Sequence, residues 1–335
     1  MNATIPNSMR AVLLEGIGRA PTVGQAPVPQ PGPGQVLVRM AAAPINPSDL
    51  GFLKGAYEVQ KAFPVIPGFE GSGTVVAAGP GLLPRLWLGK NVACSAPSGA
   101  DGSWAQYMVT AATSCIPMAG TFALEQAAML IVNPLTAIAF FDIARQGGHS
   151  ALVSNAAASA LGRMVLRLGQ TRGIPIINIV RRQEQAKLLV SMGARYVLDS
   201  SAPGFVDRLR TLAANLKATL VLDPVAGEQG RQLFEAAPNG SMLLIYGALS
   251  GEDIRIAPRV LTFTGKRVEG FFLGGWMEKK SVVHALAALW QVRRLASKEL
   301  QSAIQERFPL QAVNQAVELY QRNPTAGKVL LTMGT

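Results

Sequence analysis

The stretch ALVSNAAASALGRMVLRLGQTRG, residues 151–173, decides the fold. Its opening, Ala151 to Asn155, is a short apolar run of the kind a strand buried on both faces uses. The run breaks into small residues, Asn155-Ala156-Ala157-Ala158-Ser159-Ala160-Leu161-Gly162. It resumes as a helix with Leu161, Met164, Val165 and Leu168 at i, i+3, i+4 and i+7, while Arg163 and Arg167 point elsewhere, and Gly173 ends it. A strand, a turn of small residues and an amphipathic helix open a βαβ unit.

Outward from this stretch, further apolar runs follow at Pro175–Val180, Tyr196–Asp199, Thr219–Asp223 and Met242–Tyr246, separated by helix-period segments. Strands alternating with helices predict an α/β fold built on a doubly wound parallel (Rossmann) sheet. Upstream, Met9 to about Ala119 is β-branched and punctuated by Gly and Pro, with strand patterns at Gln35–Met40, Gly73–Ala78 and Asn91–Ala96, so a mostly β domain precedes the sheet. Beyond Gly270 come a long helix from about Ser281 to Ser297, a strand near Glu306–Pro309, a helix with Val313, Ala316, Val317 and Tyr320 on one face, and a closing strand, Lys328–Thr332. This tail is expected to return to the first domain. The expected division is 1–127 with 290–335, and 128–289, without internal repeats.

A chain of 335 residues exceeds what one core usually serves, which agrees with two domains. Apolar residues make up 49% and charged residues 15%, so every segment has surface to bury. The most apolar stretch, Ala123 to Ala144, is interrupted by Glu125, Gln126, Asn133, Pro134 and Asp142, which argues against a membrane span. Met1 to Arg10 lacks a basic patch followed by an apolar run, so the expectation is a cytoplasmic protein. Cys94 and Cys115 are too few for a disulfide framework or a four-cysteine zinc lobe and read as buried thiols. The net charge of +11 is spread in pairs, Arg181-Arg182, Lys279-Lys280 and Arg293-Arg294, and not in blocks. That pattern fits a basic surface, and next an anionic small molecule such as a phosphorylated cofactor; nucleic acid is not expected.

The turn at 155–162 is where a βαβ unit gathers backbone N–H groups and a helix N-terminus around phosphate. It is not G-x-G-x-x-G, yet its small residues meet the same need for close backbone approach; an ordinary strand-to-helix turn would read the same way. The second strand ends about 20 residues beyond Leu161, where an enzyme using NAD carries an acid for the ribose hydroxyls. Here stand Arg181 and Arg182, forked cations suited to a 2′-phosphate, so NADPH is expected over NADH; two surface arginines at a strand end are the plainer reading. His149 and His284 are the only histidines, and neither has a ligand spacing to a cysteine, so no metal is expected.

Read together and in order, Ile45-Asn46-Pro47-Ser48-Asp49, Gly55-Ala56-Tyr57, Pro67-Gly68-Phe69-Glu70-Gly71, Asn133-Pro134-Leu135-Thr136-Ala137, Asn155 to Arg163, Val180-Arg181-Arg182, Gly270 to Trp276 and Lys328 to Met333 form a pattern that spans nearly the whole chain. In this the sequence resembles the medium-chain dehydrogenases/reductases, and within them the trans-2-enoyl thioester reductases more than the zeta-crystallin-like quinone reductases. In zinc relatives Gly68-Phe69-Glu70 would read Gly-His-Glu, and Phe69 agrees with the scarcity of histidine. The resemblance implies that the β-rich domain is a GroES-like catalytic domain.

It also implies site residues. Tyr57 would donate a proton or stabilise an oxyanion, and Asn46 would lie near the nicotinamide. Cofactor contacts fall to Asn133, Thr136, Ala158, Ser159, Ala160, Leu161, Arg181, Arg182, Tyr246, Gly247, Ala248, Leu249, Phe271, Phe272, Leu273, Gly274 and Lys328. The chain departs from the family at Ala158 and Ala160, where enoyl reductases commonly carry Asn or Gly, and at Phe271-Phe272, where they have a Phe-Trp pair. Both an enoyl thioester and a quinone or alkenal therefore stand as substrates, and a non-catalytic NADPH sensor is the third reading. Phe52, Phe271, Phe272 and Trp276 would line an acyl channel or fill a core. The strand around Arg267 to Leu273 resembles one that pairs across a two-fold axis, which implies a homodimer.

Overall fold

A computed structural model describes residues 5–56 and 62–334. The chain divides into two compact units, Met1–Pro134 with Leu289–Thr335, and Leu135–Ala288. The first unit opens with β1 (Ser8–Leu13), β2 (Thr22–Pro27), β3 (Gln35–Pro44), α1 (Pro47–Leu53), β4 (Glu70–Ala78), α2 (Leu82–Trp87), β5 (Asn91–Ser95), β6 (Tyr107–Ala111), β7 (Cys115–Pro117) and α3 (Leu124–Ala127). Helix α4 (Val132–Gln146) leads into the second unit, which runs β8 (Ala151–Ser154), α5 (Ala160–Arg172), β9 (Ile176–Val180), α6 (Gln183–Ser191), β10 (Tyr196–Asp199), α7 (Phe205–Leu216), β11 (Ala218–Asp223), α8 (Gly227–Ala236), β12 (Met242–Ile245), α9 (Pro258–Thr264), β13 (Arg267–Gly270) and α10 (Leu273–Glu278). Helix α11 (Val282–Leu295) leads back to the first, which ends in β14 (Ile304–Pro309), α12 (Val313–Arg322) and β15 (Lys328–Thr332).

In the first unit the main sheet has the order β14-β15-β3-β4-β5-β7, with β6 also paired to β3. Strand β15 pairs antiparallel with β3, so the end of the chain completes the sheet that its beginning lays down. Val313, Ala316 and Tyr320 of α12 share one core with Leu37, Phe52, Val92 and Trp104. Strand β4 starts at Glu70, three residues before the expected Gly73. Gly71 and Gly73 hid it: a Cβ at Gly73 would fall 2.0 Å from the Arg39 carbonyl oxygen, and one at Gly71 would fall 2.8 Å from that of Ala42. These glycines serve close approach to β3, where the register shifts.

The second unit is a parallel sheet of order β10-β9-β8-β11-β12-β13. Counted from β8 this is 3-2-1-4-5-6, the dinucleotide-binding order, with its topological switch point between β8 and β11. Strands β8, β9 and β11 are buried along nearly their whole length, as their unbroken apolar runs require. Helix α5 begins after the turn of small residues and ends at Gly173 in the left-handed conformation. Arg163, off the apolar stripe, is nevertheless buried at 8% exposure. Leu161, Gly162, Met164, Val165, Leu166 and Leu168 are all buried as well, so α5 is covered on more than its apolar stripe.

Candidate functional site

The chemistry-bearing residues gather in two places, one in each unit. In the second unit they surround the carboxyl ends of β8 and β11. The Asn155 amide donates to Asp223 Oδ1 at 2.8 Å, and the Asn155 backbone N–H donates to Leu222 O at 2.9 Å. Asp223 Oδ1 also accepts from Val225 N, and Oδ2 accepts from Ala226 N. Asp223 is fully buried; desolvation pushes its carboxyl pKa up, and these donors oppose the rise. This latch ties the turn after β8 to the turn after β11. The backbone of 246–250 is pinned to the same place, with Tyr246 N, Leu249 N and Ser250 N donating to the carbonyls of Asp223, Pro224 and Val225.

The turn itself is built for close approach. Ala156 sits at φ 49°, in the left-handed region, and Ser159 is the N-cap of α5, its Oγ accepting from Gly162 N at 3.1 Å. A Cβ at Gly162 would lie 2.4 Å from Ala157 O and 2.7 Å from Ala157 Cα, so at that position the helix can pack on its own turn only with glycine. Ala158 and Leu161 are buried, while Ser159 and Ala160 are partly exposed beside them. This brings together Ala158, Ser159, Ala160 and Leu161 at a helix N-terminus whose first N–H groups have no partner within the helix.

Arg181 and Arg182 are exposed directly after β9. Asp199, at the end of the neighbouring β10, is the register partner of Val180, yet its carboxylate accepts from Ser201 N at 2.9 Å and Ser201 Oγ at 2.7 Å, which lowers its pKa. Tyr246 and Phe271 meet around Phe140 of α4, with ring centroids 4.8 and 5.2 Å from it. Desolvation, then the nearby Asp223, push the Tyr246 phenol pKa up, so the ring presents a neutral hydroxyl. Gly247, Leu273 and Gly274 are half-buried, whereas Ala248, Leu249 and Phe272 are exposed. Thr136 is buried in α4. Of the aromatic set, Phe52 is a core residue stacked edge-on against Phe69 at 6.1 Å, and Trp276 carries the Lys280 ammonium 4.5 Å above its ring.

In the first unit a sealed polar cluster lies where α1, β4, β15 and the start of α4 converge. Asn46 is the residue before α1, and its Nδ2 donates to Glu70 Oε1 at 2.9 Å. Its Oδ1 accepts from the Lys328 ammonium. Glu70 Oε2 accepts from Ile131 N and Val132 N, 2.9 Å each, and so caps α4 one residue before Asn133, which is itself buried. Asp49 accepts from Asn46 N at 2.7 Å and from Phe69 N at 3.1 Å. Asn46, Asp49, Glu70 and Lys328 are all at most 2% exposed. Desolvation raises Asp49 to about 7 and raises Glu70 as well, while Lys328 pulls both back; desolvation lowers Lys328, and the two carboxylates resist that. Sequence reasoning named Asn46 and Lys328 but missed Glu70, Asp49 and the Asn155–Asp223 latch. A buried acid beside a strand start, as in Gly68-Phe69-Glu70, was the available signal. Tyr57 lies outside the described residues.

The donor set of the described residues does not fit zinc. Among the described residues no group of three or more His, Cys, Asp or Glu side chains is placed to hold a metal ion. His149 Nδ1 pairs with Thr219 Oγ1 and His284 Nδ1 with Ser281 Oγ, while the thiols of Cys94 and Cys115 face the carbonyls of Gly71 and Ala111. Among the described residues no helix is long and apolar enough to cross a membrane.

Two family models match the chain: the alcohol dehydrogenase GroES-like domain over residues 32–120 and the zinc-binding dehydrogenase over residues 160–288. A mitochondrial enoyl-[acyl-carrier-protein] reductase of Arabidopsis thaliana is 31% identical over 256 residues, which span 74% of this chain and 66% of that protein. The mouse protein of the same name is 28% identical over 89% of this chain and 81% of its own length. Among solved structures, a candidate NADPH:quinone reductase from Mesorhizobium loti is 36% identical with a TM-score of 0.91, covering 99% of this chain and 100% of that one. Another so described, from Bacillus thuringiensis, is 28% identical with a TM-score of 0.87, covering 98% of this chain and 99% of that one.

Proposed function

Because this chain belongs to the medium-chain dehydrogenase/reductase superfamily and is an oxidoreductase, we propose that it reduces the activated C=C bond of a 2-enoyl thioester with NADPH and without a metal. The observation that supports the reading is the turn 155–162 at the switch point of a 3-2-1-4-5-6 sheet, with close packing at Gly162 and the Asn155–Asp223 latch, a place where such sheets take a dinucleotide phosphate. Arg181 and Arg182 after β9, beside an acid engaged with Ser201, favour a 2′-phosphate and hence NADPH.

When bound, the cofactor supplies the hydride that is added to the β-carbon of the substrate. Negative charge then gathers on the thioester carbonyl oxygen, and the α-carbon takes up a proton. Tyr57 is the donor assigned to that oxygen, since a phenol is neutral and protonated at pH 7. The backbone of 158–161 would hold the pyrophosphate, Arg181 and Arg182 the 2′-phosphate, and Asn133, Thr136, 246–249 and 271–274 the nicotinamide half.

A quinone as electron acceptor is the second reading, favoured by the 36% identity over nearly the full chain to a structure described as such. NADPH consumption with short and long trans-2-enoyl-CoA, beside a small quinone and with NADH as the alternative donor, separates the two. Turnover of the enoyl thioester is expected; turnover of the quinone alone moves the chain to the second reading. Tyr57→Phe should lower kcat by about 10² to 10³, and an unchanged rate removes Tyr57 from the chemistry. The protein is further proposed to be a homodimer through β13, the outer strand of its sheet, all four of whose residues are exposed.

A further inference from the structure

Two carboxylates and one ammonium are sealed together in the first unit, and a carboxylate that caps a helix must be ionised to do so well. Glu70 is that carboxylate. Both of its oxygens are committed, Oε1 to the Asn46 amide and Oε2 to Ile131 N and Val132 N. The compensating charge comes from within the chain: Lys328 donates to the other end of the same amide. The Asn46 side chain is therefore a two-ended bridge, with its oxygen toward the cation and its nitrogen toward the anion.

We infer that Lys328 is the cation of this buried cluster and a positioning residue: acting through Asn46, it keeps Glu70 ionised and clamped on the first turn of α4, and thereby sets where Asn133 and Thr136 stand. The inference rests on the proposed reading in one respect, the assignment of Asn133 and Thr136 to the cofactor. A buried amine unable to reach the surface is poorly placed to grip a ligand itself, and Lys328 is 2% exposed with its ammonium engaged by Asn46. Lys328 is the register partner of Ile304 on β14, and Leu330, two residues on, is that of Pro44 on β3, so the lysine stands on a strand paired on both sides. The charged groups that act on it are Glu70 on β4 and Asp49 on α1, with the neutral Tyr320 phenol of α12 near Asp49 and the neutral Cys94 thiol of β5 near Glu70.

Wild type, Glu70→Gln, Lys328→Met and the double variant test the clamp, each titrated with NADPH by fluorescence and unfolded thermally at pH 6 and pH 8. Lys328→Met is expected to weaken NADPH binding by about tenfold or more, because it leaves Glu70 as a buried charge without its cation. In the Glu70→Gln background the same substitution should change binding by less than about twofold, since a neutral amide needs no cation. Equal losses in both backgrounds overturn the inference and make Lys328 a direct cofactor contact. If Lys328→Met does not fold, the unfolding curves decide: a folded double variant supports the clamp, and an unfolded double variant beside a folded Glu70→Gln overturns it. Wild type without affinity for NADPH would sink the functional reading, while the coupling of Lys328 to Glu70 in the unfolding curves still decides the clamp.

Discussion

Asp49 keeps its proton to about pH 7 because full burial disfavours its charge more than two backbone donors and Lys328 favour it. Its folded value lies above the unfolded 3.8, so the stability it contributes is present below about pH 4 and is lost as pH rises towards 7. Asp49→Asn should flatten that part of the profile, whose limiting slope is about 1.4 kcal/mol per pH unit; urea unfolding from pH 4 to 7 reads it, and an unchanged slope rejects the assignment. At the cofactor end, Arg181→Ala is expected to raise KM for NADPH by about ten- to a hundredfold and to leave that for NADH nearly unchanged. Equal effects on both dinucleotides would make Arg181 an ordinary surface charge. The two thiols behave differently: burial pushes Cys115 up to about 12 and Cys94 well above its ordinary value, so neither forms a thiolate readily. Thiol reagents should label them only on unfolding.

At the scale of elements, the strand–turn–helix unit of β8 and α5 works because its small residues let backbone meet backbone. Gly162→Ala would press a methyl group onto Ala157 O and Cα, neither of which is a flexible side chain. A loss of about 1–3 kcal/mol is expected from the thermal melting shift, together with weaker NADPH binding, since the turn must move to relieve the contact. Ser159→Ala removes the cap on Gly162 N and should cost about 1 kcal/mol. The start of helix α4 is the counterpart in the first unit: its cap is borrowed from Glu70, 61 and 62 residues away in sequence, which no local signature announces.

For the molecule as a whole, β13 is the telling strand. It is an edge, its residues are exposed, and Leu261, Phe263 and Phe272 beside it in the chain are exposed apolar side chains. Sedimentation should find a dimer, and Val268→Lys should shift it to monomer by placing like charges across the paired edge. Wild type that sediments as a monomer at all concentrations removes the proposal. The same parallel sheet explains why strands β8, β9, β11 and β12 were readable: each is buried along nearly its whole length, so its sequence is a continuous apolar run, and the helices between show the 3.6-residue period.

What the sequence by itself determined is local: the βαβ opening at 151–173, the order of strands and helices, the helix stop at Gly173, and the paired arginines at 181–182. These follow from periodicity, side-chain size and charge, which act over a few residues. The tertiary structure alone decided what depends on who is opposite whom. It moved the start of β4 back to Glu70, because the glycines that disfavour a strand are demanded by the Arg39 and Ala42 carbonyls across the sheet. It buried Arg163 within α5. It joined Asn155 to Asp223 and, across 282 residues, Lys328 to Asn46. Burying a charge is costly unless a partner stands within hydrogen-bond reach, and partners so far apart in sequence are supplied by the fold, not by any spacing along the chain.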